Sequence, residues 1–96
     1  MNRKPSHPGA LIRNVILSET GLTISELAQH CRIARNTMSK VVNERGDVTE
    51  DIAIRLSRVV GSTPRFWLGM QSKLNLWNLE QKNSRIYEKI ERVQVA

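Results

Sequence analysis

The chain has 96 residues, 40% of them hydrophobic and 25% charged, and its 11.0 kDa make room for one domain with one modest core. Such usage excludes a disordered or collagen-like chain, and no run approaches the roughly 20 apolar residues that a bilayer span requires. A surplus of 15 Lys and Arg over 9 Asp and Glu leaves a formal charge of +6, which favours a polyanionic partner, nucleic acid before membrane.

The single cysteine, Cys31, allows neither an internal disulfide nor a Cys-rich zinc site. The basic start Met1-Asn2-Arg3-Lys4 runs into Pro5 and Pro8 without the apolar stretch of a signal peptide. These features predict a reducing, cytoplasmic setting. Catalysis is not expected. Two histidines, one cysteine and the two aspartates Asp47 and Asp51 form no metal-ligand spacing, no phosphate loop and no nucleophile-base pair, so neither a metal nor a cofactor is implied.

Almost no period-2 alternation occurs, and the chain reads as all-α. Leu11, Ile12, Val15 and Ile16 form one apolar stripe, predicting a first helix from Pro8 to Glu19 with Gly21 as its C-terminal cap. Thr23-Ile24-Ser25-Glu26 has the form of a capping box and opens a second helix over Ile24 to His30. A break at Cys31 to Ala34 precedes a third helix, Arg35 to Asn43, followed by the loop Glu44-Arg45-Gly46-Asp47. Thr49 caps a fourth helix whose apolar set is Ile52, Ala53, Leu56, Val59 and Val60, ended by Gly61. Thr63-Pro64 opens a fifth, along which Trp67, Met70, Leu74 and Trp77 lie at helical spacing. The chain divides into a domain over 1–79 and a charged tail over 80–96. In that tail Ile86, Tyr87, Ile90 and Val93 suit either a frayed end or one amphipathic helix.

Helices two and three, joined by a short turn, fit a helix-turn-helix unit. Leu27 and Cys31 face the core, Ala28 is small where the helices cross, Ile33 plugs the turn, and Met38 and Val41 anchor the second helix. The opposite face carries Arg35, Asn36, Ser39, Lys40 and Asn43, which suits a major groove. Arg35 and Asn36 lead as readers of base edges, pairing with guanine and adenine respectively, with Ser39 and Lys40 beside them. Thr23, Ser25, Thr37 and Asn43 are placed to hold phosphates. A single copy offers few contacts, so a homodimer on a palindromic operator is expected. Phe66, Trp67, Leu68 and Met70 of helix five are its expected interface.

Several blocks carry a more specific likeness: Ser6-His7-Pro8-Gly9, Leu27-Ala28 with Asn36-Thr37-Met38-Ser39, Ile52-Ala53-Ile54-Arg55-Leu56, and Gly61-Ser62-Thr63-Pro64-Arg65-Phe66-Trp67-Leu68 with Gln71. Over about Ser6 to Leu79 the chain resembles the HigA-type antitoxins, a branch of the Cro/C1 (XRE) helix-turn-helix proteins. The resemblance implies a five-helix, lambda-repressor-like, dimeric DNA-binding protein that represses its own operon. It further implies pairing with a small basic toxin of the HigB type that cleaves mRNA at the ribosome; a stand-alone regulator without a toxin is the alternative. Gly69-Met70 and Asn75-Leu76-Trp77 depart from the pattern of the helix-five block, and two more departures lie in the helix-turn-helix unit. Arg32 stands where glycine is usual, and Ala34 replaces the customary Ser or Thr cap of the third helix, each at a cost of about 1 kcal/mol.

Overall fold

The computed structural model describes residues 3–95, which form helices joined by short turns. The first helix, α1, spans residues 8–20 and starts on a side-chain cap: His7 Nδ1 accepts the Gly9 N–H at 2.9 Å, with Pro8 at the first helical position. It is not uniformly α-helical. Pro8–Leu11 and Leu17–Thr20 are α turns, but Ile12–Ile16 between them is a π turn, in which the Leu17 N–H reaches back five residues to the Ile12 carbonyl. The wider turn shifts the phase of everything after it. Ile12 is fully buried and Leu11, Ile16 and Leu17 pack against the core, whereas Val15, which α-helical spacing assigns to the same stripe, is 36% exposed. Gly21 closes the helix with φ of 73°, a left-handed position that glycine takes without strain.

Then follow α2 (Ile24–Cys31), α3 (Arg35–Val42), α4 (Glu50–Val60), α5 (Pro64–Lys82) and α6 (Ser84–Glu88). The caps are local chemistry. Thr49 Oγ1 accepts the Ile52 N–H, Thr63 Oγ1 accepts the Phe66 N–H, and Gly61 ends α4 at φ of 76°. Where the sequence predicts five helices, the described residues form six. Asn83, at φ −115° and ψ 24°, interrupts the chain after α5, and one further short helix follows. Of the tail, residues 80–82 complete α5 and Ser84–Glu88 form α6, and Ile86, Tyr87, Ile90 and Val93 all stay exposed.

The core gathers Ile12 from α1, Leu27, Ala28 and Cys31 from α2, Met38, Val41 and Val42 from α3, Ile52, Ala53 and Leu56 from α4, and Trp67 from α5. Trp67 corrects its expected interface role: at 1% exposure it belongs to this protomer's own core. Its indole N–H donates to Ser62 Oγ, and that bond is what permits a tryptophan to be buried completely. Phe66 meets it edge to face, with centroids 5.2 Å apart at 85°, and is itself 47% exposed. Leu68 and Met70 are half-buried.

Two close fits tie α1 to α3 and α5 to the segment after it. A Cβ on Gly9 would lie 2.0 Å from the Val41 carbonyl oxygen, so glycine lets α1 and α3 approach backbone to backbone. Buried Gln71 accepts the Val48 N–H at 2.9 Å through Oε1 and donates through Nε2 to Asn75 Oδ1 at 3.0 Å and Asp47 Oδ1 at 3.3 Å. The 44–49 loop is thereby pinned to α5.

Burial also fixes the chemistry of Cys31, whose thiol pKa is pushed up by desolvation against a smaller opposing pull from the Arg55 charge. Iodoacetamide at neutral pH is expected to leave Cys31 unmodified in the folded protein and to alkylate it in denaturant. Intact-mass measurement reads the difference.

Candidate nucleic-acid interface

α2 and α3 form a helix-turn-helix pair whose inner faces are buried and whose outer face is polar. Thr23 and Glu26 close the capping box in both directions: Thr23 Oγ1 accepts the Glu26 N–H at 3.1 Å and Glu26 Oε1 accepts the Thr23 N–H at 3.0 Å. Those hydrogen bonds from Thr23 hold the Glu26 carboxyl below the usual carboxylate range. The start of α3 has no counterpart. Ala34 sits in the extended cap conformation, φ −63° and ψ 141°, with no side chain to take an α3 amide. Ala34→Ser supplies that acceptor, and a gain of about 1 kcal/mol, a rise of roughly 4 to 8 °C in Tm, is expected in a thermal melt followed by circular dichroism.

Both ends of α3 carry a non-glycine residue in the left-handed region, Arg32 before it at φ 57° and Glu44 after it at φ 62°. Each costs about 1 kcal/mol, and each is held by an arginine from a flanking helix. From α4, Arg55 Nη1 donates to the Arg32 carbonyl at 2.9 Å and the Cys31 carbonyl at 3.3 Å, while its Nε pairs with Asp51 at 2.9 Å. From α1, Arg13 Nη1 donates to the Val42 carbonyl at 2.7 Å and Nη2 pairs with Glu44 at 3.0 Å. The tight turn that follows is completed by Arg45 N–H and Gly46 N–H on the Lys40 carbonyl and by protonated Nε2 of His7 on the Gly46 carbonyl at 3.1 Å. With Nδ1 accepting from Gly9, Nε2 is the nitrogen that carries the proton. Exposed ion pairs contribute little alone, but hydrogen bonds from charged groups to orphan helix-end carbonyls are stronger. The recognition helix is fixed at both termini by parts of the chain outside the two-helix unit.

The residues expected to meet DNA fall into distinct settings. Arg35, Asn36, Thr37 and Lys40 are exposed on α3, and Ser39 is half-buried on the same helix. Thr23 and Ser25 lie at the start of α2, where Thr23 Oγ1 is already engaged by Glu26 and Ser25 Oγ accepts Arg35 Nε–H at 2.8 Å. Asn43 turns back on its own helix, donating through Nδ2 to the Ser39 carbonyl at 2.9 Å and Ser39 Oγ at 3.2 Å. Sequence reasoning missed the supports, Arg13, Arg55 and Gln71. The pair Asp51 and Arg55 at i, i+4 is a visible ion-pair signal, but nothing local reveals that Arg55 also reaches a turn 23 residues earlier.

No family model matches the chain. An uncharacterized HTH-type transcriptional regulator of Haemophilus influenzae is 38% identical over 96 residues, spanning 100% of this chain and 89% of its own. Antitoxin HigA-1 of Vibrio cholerae is 34% identical over 80 residues, 83% of this chain and 75% of its own. The solved structure of antitoxin GraA in complex with its operator superposes with a TM-score of 0.89 at 32% identity, covering 99% of this chain and 97% of that one. With the helix-turn-helix geometry of α2 and α3 in place, these likenesses establish that the chain belongs to the family of HTH-type transcriptional regulators that includes the HigA antitoxins.

Proposed function

We propose that this protein is a cytoplasmic antitoxin that represses its own operon, binding a palindromic operator as a homodimer and neutralising a small basic toxin of the HigB type that cleaves mRNA. The observation that carries the DNA-binding part is the exposed face of α3, where Arg35, Asn36 and Lys40 stand out from a helix clamped at both ends. Arg35, Asn36, Ser39 and Lys40 read bases in the major groove, and Thr23, Ser25, Thr37 and Asn43 hold the register on phosphates. Among these, Thr23 and Ser25 each accept one internal hydrogen bond and keep the hydroxyl proton for a phosphate oxygen, whereas Asn43 must give up a bond to Ser39.

Shape supports the dimer. The described chain measures 52 × 26 × 24 Å with a radius of gyration of 16.4 Å, against about 12.5 Å for a compact domain of this length. Nineteen-residue α5 and the exposed residues after it lengthen the chain, and α5 leaves Phe66, Leu76 and Leu79 exposed. Phe66, Leu68 and Met70 form the two-fold contact, which sets two copies of α3 about 34 Å apart on successive major grooves. A net charge of +6 does not mimic RNA inside a basic toxin, so neutralisation is steric and runs through the acidic minority.

Fluorescence anisotropy on duplex from upstream of the gene tests the repressor part. Arg35→Ala and Asn36→Ala are each expected to lose roughly 1 to 3 kcal/mol and to relax base preference, while Lys40→Ala lowers the salt slope by about one if Lys40 contacts a phosphate instead of a base. Equal affinity of the unmodified protein for operator and scrambled duplex rejects the reading. The antitoxin part fails if no small basic protein copurifies from the native host and no toxin-like reading frame adjoins the gene.

A further inference from the structure

Arg35 is the first residue of α3, and its Nε–H donates to Ser25 Oγ, on the first turn of α2, at 2.8 Å. It differs from the two arginines that clamp the helix. Arg13 and Arg55 each spend a terminal nitrogen on backbone carbonyls and pair with a carboxylate, Arg13 through Nη2 and Arg55 through Nε, whereas Arg35 bonds through Nε alone and to an exposed hydroxyl. A hydrogen bond between two exposed side chains adds little to folding. It has a large geometric effect, because the guanidinium is a rigid planar fork: fixing Nε fixes the direction of both terminal nitrogens. An arginine can meet the O6 and N7 acceptors of guanine end-on, through Nη1 and Nη2, or side-on, through Nε and one of them. Ser25 occupies Nε and leaves the end-on fork.

Resting on the DNA-binding reading above, we infer that Ser25 is a positioning residue for base recognition: its hydroxyl holds Arg35 in the end-on pose before DNA arrives, presenting Nη1 and Nη2 to one guanine of each operator half-site. An untethered arginine surrenders its rotamer freedom on binding; this one has surrendered part of it on folding. Ser25 thus acts on sequence preference through Arg35, beyond any phosphate its remaining proton reaches.

The experiment measures anisotropy of the full-length protein on the operator, on a scrambled duplex, and on operators carrying 7-deazaguanine at one guanine at a time, which removes the N7 acceptor. Ser25→Ala is expected to reduce the preference for operator over scrambled duplex roughly five- to tenfold, beyond the loss of its phosphate contact, which both duplexes share. Ser25→Thr, which keeps the hydroxyl, should restore the preference. One guanine per half-site should show a 7-deaza penalty in the unmodified protein, and Ser25→Ala should blunt it. In an Arg35→Ala background, Ser25→Ala should cost no further preference for operator over scrambled duplex. Additive losses of preference in the double variant overturn the inference, as does an equal weakening on operator and scrambled duplex, the mark of a phosphate contact alone. Those outcomes leave the repressor reading standing; an unmodified protein that does not distinguish operator from scrambled duplex overturns both.

Discussion

Trp67→Ala is expected to lower the stability of the protomer by about 3 to 5 kcal/mol, a large share of the roughly 5 to 15 kcal/mol that hold a domain of this size folded. The indole is 1% exposed, makes an edge-to-face contact with Phe66 and donates to Ser62 Oγ. Removing it opens a cavity at the junction of α5 with the other helices and leaves the Ser62 hydroxyl without that donor. Urea denaturation, compared at matched protein concentration, reads the loss as a lower midpoint. Phe66→Ala should behave differently. At 47% exposure it stabilises its own protomer little, and its loss should appear in the dimer dissociation constant measured by sedimentation. A Trp67→Ala protein with an unchanged urea midpoint and a lost dimer would return Trp67 to the interface.

Gly9→Ala is the second large effect, and it removes nothing. The added Cβ would meet the Val41 carbonyl oxygen at 2.0 Å, and a backbone atom cannot step aside as a flexible side chain can. Overpacking typically costs 1 to 3 kcal/mol, and with backbone on both sides we expect about 3 kcal/mol, seen as a fall of roughly 12 to 24 °C in Tm. Relief comes from separating α1 from α3, so the recognition helix moves. Operator affinity measured well below the lowered Tm should therefore fall too, although Gly9 lies on α1, outside the helix-turn-helix unit. A variant with near-normal stability and operator binding would show that the two helices have slack at this crossing.

What the sequence made legible is what is encoded within four residues. The capping box at Thr23, the hydroxyl caps of Thr49 and Thr63, and the left-handed glycines Gly21 and Gly61 are each set by a residue and its near neighbours, and the helices begin and end where those residues predict to within a position or two. Burial of Leu27, Ala28, Cys31, Met38 and Val41 follows from the same short-range periodicity. Illegible were the long-range polar bonds: His7 to the carbonyl of Gly46, Arg13 to that of Val42, Arg55 to that of Arg32, and Gln71 to the amide of Val48. Their partners are main-chain groups, which every residue carries, so side-chain identity on the receiving side gives no hint. Trp67 was misplaced for a related reason: an apolar stripe shows that a residue is covered, not whether its own chain or a second copy covers it. Gln71 belongs to the block that carries the family likeness, and only the fold shows that it ties the loop after α3 to α5.

The π turn at Ile12–Ile16 makes α1 two helical segments offset by one residue of phase, with Pro8–Leu11 against α3 and Leu17 turned to the core. A related chain that kept both contacts with an unbroken α-helix would be one residue shorter here. The matching alignment gap belongs inside the helix, between positions 12 and 16, and not in a loop where gaps are ordinarily sought. An engineered deletion at Val15 tests this directly: if the wide turn is an absorbed insertion, the shortened chain folds with Pro8–Leu11 and Leu17–Thr20 on their original neighbours.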